Sequence, residues 1–221
     1  MKKTLFALTL ICSLSSAFAA DGLTIGNSFQ VDKDGQIFRG KEPKQLVSEL
    51  PNIGITDVLI FKNQVKNEVA TEIADLKELG IRSHHIPFRW KELESTEIAC
   101  GHVVDALNLI AQTKMRNGSI FFHCTAGEDR TGMLAGLYRM LEENLKMGQV
   151  FRSEMCARGY SDGNPNKPAT VSGAIQKELT PLFMAIAKKI EARAVVLGRA
   201  SKSICKNLKV EPTNMTCGSI K

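Results

Sequence analysis

The chain has 221 residues, 43% of them hydrophobic and 24% charged, and a formal net charge of +6. That length suits one domain with a sizeable core. The charge is mild and no Lys/Arg-rich cluster with interleaved aromatics occurs, so nucleic acid is not an expected partner.

At the N-terminus, Lys2 and Lys3 precede an apolar run at 5–14 and the small-residue site Ala17-Phe18-Ala19. The pattern predicts a secretory signal peptide over 1–19, cleaved after Ala19, and a single domain over 20–221. The run is too short to span a bilayer and no later run is long enough, so no stable membrane anchor is expected. A lipid on Cys12 is disfavoured because bulky Ile11 stands where such signals place a small residue. The leader carries two of the 29 basic residues and none of the 23 acidic ones, so the exported form stays mildly basic. The expected location is periplasmic or secreted.

Segments 29–31 and 36–39 flank the turn signal DKDG and predict a short hairpin. Pro43 can open a helix with Leu46 and Leu50 on one face. DVLIF at 57–61 reads as a buried strand. Val65, Val69, Ile73, Leu76 and Leu79 then recur at helical spacing until Gly80. A strand is expected at 81–86, ended by Pro87, then a loop over PFRWKELEST at 87–96. A helix over 97–115 buries Ile98, Val103, Val104, Leu107 and Ile110, and Asn117-Gly118 turns the chain into the strand SIFFH at 119–123. Helices follow at 131–145, 147–157 and 171–197, with the breaker-rich SDGNPNKPA between the last two. Alternating strands and helices predict an α/β domain with a mostly parallel central sheet and helices on both faces.

After cleavage five cysteines remain: Cys100, Cys124, Cys156, Cys205 and Cys217. Export favours pairing, and an odd count leaves one thiol free. Cys100, Cys156, Cys205 and Cys217 are the expected disulfide formers, with Cys124 free. Cys205 and Cys217 lie close together in the polar tail 198–221, which predicts a local clasp and leaves Cys100 to Cys156. No CxxC occurs, and His84, His85, His102 and His123 show no ligand spacing, so neither a metal nor any other cofactor is expected.

HCTAGEDRTG, at 123–132, runs from the end of a strand into the start of a helix, where open α/β sheets bind ligands. The backbone of Thr125, Ala126, Gly127, Glu128, Asp129 and Arg130 can form an anion nest, and the helix adds its positive end. The Arg130 fork can hold two phosphate oxygens. Cys124 at the base of this ring should have a depressed pKa, because dipole, N–H groups and Arg130 all favour the thiolate. The thiolate can attack phosphorus in line, and Thr131 can hydrogen-bond the sulfur and help it leave.

The motif resembles the His-Cys-x5-Arg-Thr/Ser signature of the protein tyrosine phosphatase superfamily, and FRGKEP at 38–43 resembles a segment that dual-specificity phosphatases place ahead of the core. The mid-chain position of the motif argues against low-molecular-weight phosphatases and arsenate reductases. The resemblance covers roughly residues 35–165. It implies a phosphatase-type loop between strand and helix, a phosphocysteine intermediate, and an Arg39 that faces substrate.

The resemblance also implies a general-acid Asp on a loop ahead of the nucleophile, but PFRWKELEST contains none. Glu92, after Trp90, is the expected substitute, with Glu94 and Glu97 as neighbours; Asp129, inside the loop, is the second candidate. Glu128 stands where related loops carry Lys, and either loop acid repels phosphate unless protonated, paired or turned away. Arg39, Lys62, Arg82, His85, Arg89 and Lys91 are expected to form a basic substrate rim. Among exported bacterial members the chain is similar to tyrosine-phosphatase-like phytases. The expected substrate is therefore a small anionic phosphate ester, such as inositol hexakisphosphate. Protein tyrosine, dual-specificity or phosphoinositide phosphatase activity is the alternative, and a phosphate-binding module without turnover is a third.

Overall fold

The computed structural model describes residues 22–219, so the signal peptide expected at 1–19 lies outside the described residues. Phe29–Gln30 (β1) and Ile37–Gly40 (β2) form the expected antiparallel hairpin. Asp32 closes its turn by accepting the N–H groups of Gln36 at 3.0 Å and Ile37 at 2.9 Å. Asp57–Ile60 (β3), Arg82–His85 (β4) and Ile120–His123 (β5) complete a sheet ordered β1-β2-β5-β3-β4. Every pairing except β1–β2 is parallel. Gly40, Ile60 and His123 therefore lie in register, with His85 beside Ile60, and all four strands end at one edge.

β5 is central and fully buried, and its alternation fills two cores. Phe121 joins Phe38, Val58 and Ile60 against Leu50 and the helix Glu68–Glu78 (α1), through Val69 and Leu76. Ile120 and Phe122 join Ile37 and Leu59 on the opposite face. There they meet Thr96–Met115 (α2) and Asp129–Glu143 (α3), with Met147–Val150 (α4), Ala169–Lys177 (α5) and Leu179–Glu191 (α6) packed around them. The expected α/β architecture, with helices on both faces, is what forms. Ser95 caps α2 by accepting the Ile98 N–H at 3.2 Å.

Four local expectations change. The segment after Pro43 is a 3-10 helix, Lys44–Ile53, opened by the three-residue bond from the Leu46 N–H to Pro43 O at 2.9 Å. Ile98, expected inside, sits on the first turn of α2 beyond the sheet and is 46% exposed. The predicted helix at 147–157 passes from α4 into a wide π turn, Phe151–Met155, and a 3-10 turn, Cys156–Arg158. The one at 171–197 breaks at Glu178, because Pro181 lacks an N–H and would crowd the carbonyl four residues back. No helix among the described residues is long and apolar enough to cross a membrane.

The disulfides correct the expected pairing: they are Cys100–Cys205 and Cys156–Cys217, with Cys124 free and buried. No local clasp forms because Leu208, Val210 and Met215 draw the tail along the main core, carrying Cys205 and Cys217 to different partners. Non-reducing peptide mapping should recover these two pairs, and a Cys205–Cys217 peptide would refute them. Replacing Cys156 and Cys217 together by Ala should lower the unfolding free energy by about 2–4 kcal/mol in denaturant titrations.

Candidate active site

The chain leaves β5 at the shared strand edge, passes straight into Cys124 and enters α3 at Asp129. The intervening carbonyls are tied outward. Cys124 O accepts His123 Nδ1–H at 3.0 Å, and Thr125 O accepts the Glu42 N–H at 3.4 Å. Gly127 O accepts both Arg39 Nη2 and Asn27 Nδ2 at 2.8 Å, and Asn27 also reaches Ala126 O at 3.5 Å. A trans peptide points its C=O and its N–H in opposite directions. Securing these carbonyls outside the ring therefore turns the N–H groups of Thr125, Ala126, Gly127 and Glu128 inward, as an anion nest requires. Gly127 is sterically required: its φ is 72°, and a Cβ there would lie 2.4 Å from Gly40 C and 2.6 Å from Lys41 N.

Burial alone would push the Cys124 thiol up; Arg130 and the hydroxyl and N–H of Thr131 outweigh it, and the net shift is downward. Arg130 is buried and braced at both ends of its fork, donating to Phe88 O at 2.9 Å and Thr125 Oγ1 at 3.2 Å. It thereby links the nucleophile loop to the loop at 87–96. The Thr131 hydroxyl has no oxygen or nitrogen partner among the described residues and is available to the sulfur.

The two loop acids are anchored by the segment after the π turn. Glu128 pairs with Lys167 at 2.5 Å, which offsets its charge. Asp129 accepts the Ser161 N–H at 2.7 Å and its hydroxyl at 3.0 Å. Burial raises the Asp129 pKa despite those bonds, and Glu128 adds to the rise. Glu92 is exposed, carries a left-handed φ of 50° and makes no hydrogen bond or ion pair among the described residues; Glu94 and Glu97 are also exposed.

The rim differs from expectation. Arg39 is fully buried beneath the loop, where it donates to Glu154 O at 2.6 Å as well as to Gly127 O; burial lowers its pKa to about 10. Lys62 is buried between Glu42 and Glu68. Arg39 lies inside because β2 is flanked on both faces, and Lys62, two residues beyond β3, is held inside by its two carboxylate partners. Arg82 begins β4, so parallel pairing puts it at the far edge of the sheet, bound to Asp57 at 2.7 Å. His85 does end β4 at the site edge, and its Nε2 contacts Lys62 O at 2.8 Å. Arg89 and Lys91 are exposed in the loop that Arg130 grips, Lys91 over the Trp90 ring. Exposed Lys41, adjoining Gly40, and Lys167 join the cations of this edge. Lys41, Asn27, Ser161 and Lys167 were not singled out in the sequence; only their distance along the chain from the motif hid them.

Solved chains share this fold. The putative phosphatase from Shewanella putrefaciens aligns with a TM-score of 0.53 and 19% identity, covering 77% of this chain and 94% of its own. The core catalytic domain of the PP-IP phosphatase SIW14 from S. cerevisiae aligns with a TM-score of 0.51 and 22% identity, covering 76% and 94%. No curated protein matches the chain. A mostly parallel sheet delivering a Cys-x5-Arg loop to the head of a helix defines a phosphoric monoester hydrolase. The model of the tyrosine phosphatase family matches residues 26–143, and the chain belongs to that family.

Gly127→Ala sets a methyl against the Gly40–Lys41 backbone, so the loop and the end of β2 must part and the Gly127 peptide is displaced. Turnover of an aryl phosphate should fall roughly 100-fold or more. Wild-type kinetics in that variant would show that the close approach to Gly40 does not shape the nest.

Proposed function

We propose that the protein is an exported, cysteine-dependent phosphomonoesterase that acts through a phosphocysteine intermediate on small polyphosphorylated substrates, with inositol hexakisphosphate as the leading candidate. One observation carries the reaction: a buried, depressed-pKa Cys124 at the base of a loop whose carbonyls are all secured outward. Two disulfides fit an oxidising compartment. For the substrate, Arg89, Lys91 and Lys41 offer exposed cations, while Lys167 offsets the one acid that would repel a polyanion. The yeast chain of the same fold is itself a PP-IP phosphatase.

In the first step the Cys124 thiolate forms an S–P bond as the ester P–O bond breaks. The inward N–H groups and Arg130 hold the equatorial oxygens. The leaving oxygen takes a proton from a carboxyl group. In the second step that carboxylate removes a proton from water, the water oxygen bonds to phosphorus, and Cys124 departs as a thiolate steadied by Thr131. We assign the carboxyl to Asp129 over Glu92. Asp129 is fixed by Ser161 and holds its proton to higher pH, whereas Glu92 is exposed and has no partner among the described residues. A protein tyrosine or dual-specificity role is the second reading, favoured by family membership.

Cys124→Ser should abolish turnover and keep phosphate binding, while chelators should leave the native rate unchanged. Activity should rise with pH as Cys124 ionises and fall as Asp129 loses its proton. Asp129→Asn should remove the falling limb and lower kcat by roughly 10²–10⁴-fold on alkyl phosphates, with a much smaller effect on aryl phosphates. If Glu92→Gln shows that leaving-group dependence instead, Glu92 is the acid. A phosphate-release panel of inositol hexakisphosphate, phosphotyrosine peptide and phosphoinositide decides the substrate, and preference for the peptide would replace the leading reading.

A further inference from the structure

His123 and Glu72 form a buried pair behind the nucleophile. Alternation along β5 sends the His123 ring to the α1 face, where it lies 5.9 Å from the Phe121 ring and is wholly buried. Its Nδ1 is 3.0 Å from Cys124 O, and its Nε2 is 2.8 Å from Oε1 of Glu72, somewhat off the line of a good hydrogen bond. Glu72 is 6% exposed, and no other donor among the described residues bonds either of its carboxylate oxygens. A buried carboxylate with one polar neighbour is costly, and an apolar residue at this position of α1 would pack against Val69 and Leu76 at no such cost. Packing therefore does not account for Glu72.

The arrangement has a consequence for the ring. A carbonyl can only accept, so the His123–Cys124 bond exists only while Nδ1 carries a hydrogen. A neutral imidazole left alone can place its single proton on Nε2 and release the carbonyl. A hydrogen carried between Glu72 Oε1 and Nε2, which are 2.8 Å apart, would occupy Nε2 and leave the other ring proton on Nδ1. Holding the Cys124 carbonyl outside in turn directs the Thr125 N–H into the ring.

We propose that Glu72 is a positioning residue for the nucleophile: it fixes the tautomer of His123, which fixes the Cys124–Thr125 peptide and so the first N–H of the anion nest. The proposal rests on Cys124 as the nucleophile. It does not depend on which phosphate ester is the substrate.

Alkylation of Cys124 by iodoacetamide reads this directly, because it needs no substrate. Arg130, Asp129 and Arg39 act on the same sulfur and stay unchanged in the variants. Glu72→Ala and Glu72→Leu should move the midpoint of the alkylation-against-pH curve upward and lower kcat about tenfold with little change in KM. Glu72→Gln, whose amide can donate to Nε2 and keep the proton on Nδ1, should recover most of both. Folded Ala or Leu variants with an unshifted curve and native kcat would overturn the proposal, as would Gln behaving like Ala. Should the apolar variants fail to fold, ¹⁵N NMR of the native His123 ring decides. A hydrogen on Nδ1 supports the role, and a bare Nδ1 with the only proton on Nε2 sinks it. An altered substrate preference with native alkylation would count against the substrate reading and leave Glu72 untouched.

Discussion

A ring of N–H groups facing an anion obliges the carbonyls of the same peptides to face the protein, where an unpaired carbonyl costs about 1–3 kcal/mol. Nearly everything around Cys124 follows from finding donors for those carbonyls. A side chain from the strand's own end, a backbone N–H after β2, an amide ahead of β1 and a guanidinium from β2 each take one or share one. Three of the four come from the hairpin and its flanks. The strand order that sets β2 beside β5 is therefore a precondition for the loop, beyond simply placing it at a sheet edge.

The charges are arranged with similar economy. Arg39 can remain buried because the π turn presents both the carbonyl and the carboxylate of Glu154 to it. Glu154 is shared with Arg139, which also holds Glu143. The far side of Arg39 is thus tied into a chain of ion pairs reaching α3, while its near side holds the loop. Apart from buried Arg130, the cations at the site edge are exposed ones on loops, while buried Arg39 holds backbone carbonyls. Arg39 and Arg130 both brace backbone, Arg39 at Gly127 O and Arg130 at Phe88 O.

The sheet, its neighbours and the loop could be read from sequence because they depend on local periodicity and on one contiguous motif. SIFFH and DVLIF are near-continuous apolar runs bounded by turn signals, and both became central strands. What was misread depended on distance. Arg39 and Lys62 look like surface cations until their partners Glu154, Glu42 and Glu68 are in place. Glu128 looks repulsive until Lys167 arrives from 39 positions away. Proximity along the chain suggests a Cys205–Cys217 pair, whereas Leu208, Val210 and Met215 pull the tail across the core to other partners. Glu72 falls on the apolar stripe, three residues after Val69 and four before Leu76, but its partner His123 comes from a distant strand, so the sequence shows the break in the stripe and not its reason.

The Cys156–Cys217 disulfide lies beyond the residues that define the family, yet it reaches the reaction centre in few steps. Cys217 donates its N–H to Asp162 O at 2.9 Å; Asp162 adjoins Ser161, and Ser161 holds Asp129. A fragment cut to residues 26–143 would retain every letter of the signature while losing Glu154, Ser161 and Lys167. For this chain the scaffold that holds the Cys-x5-Arg loop is larger than its most recognisable part.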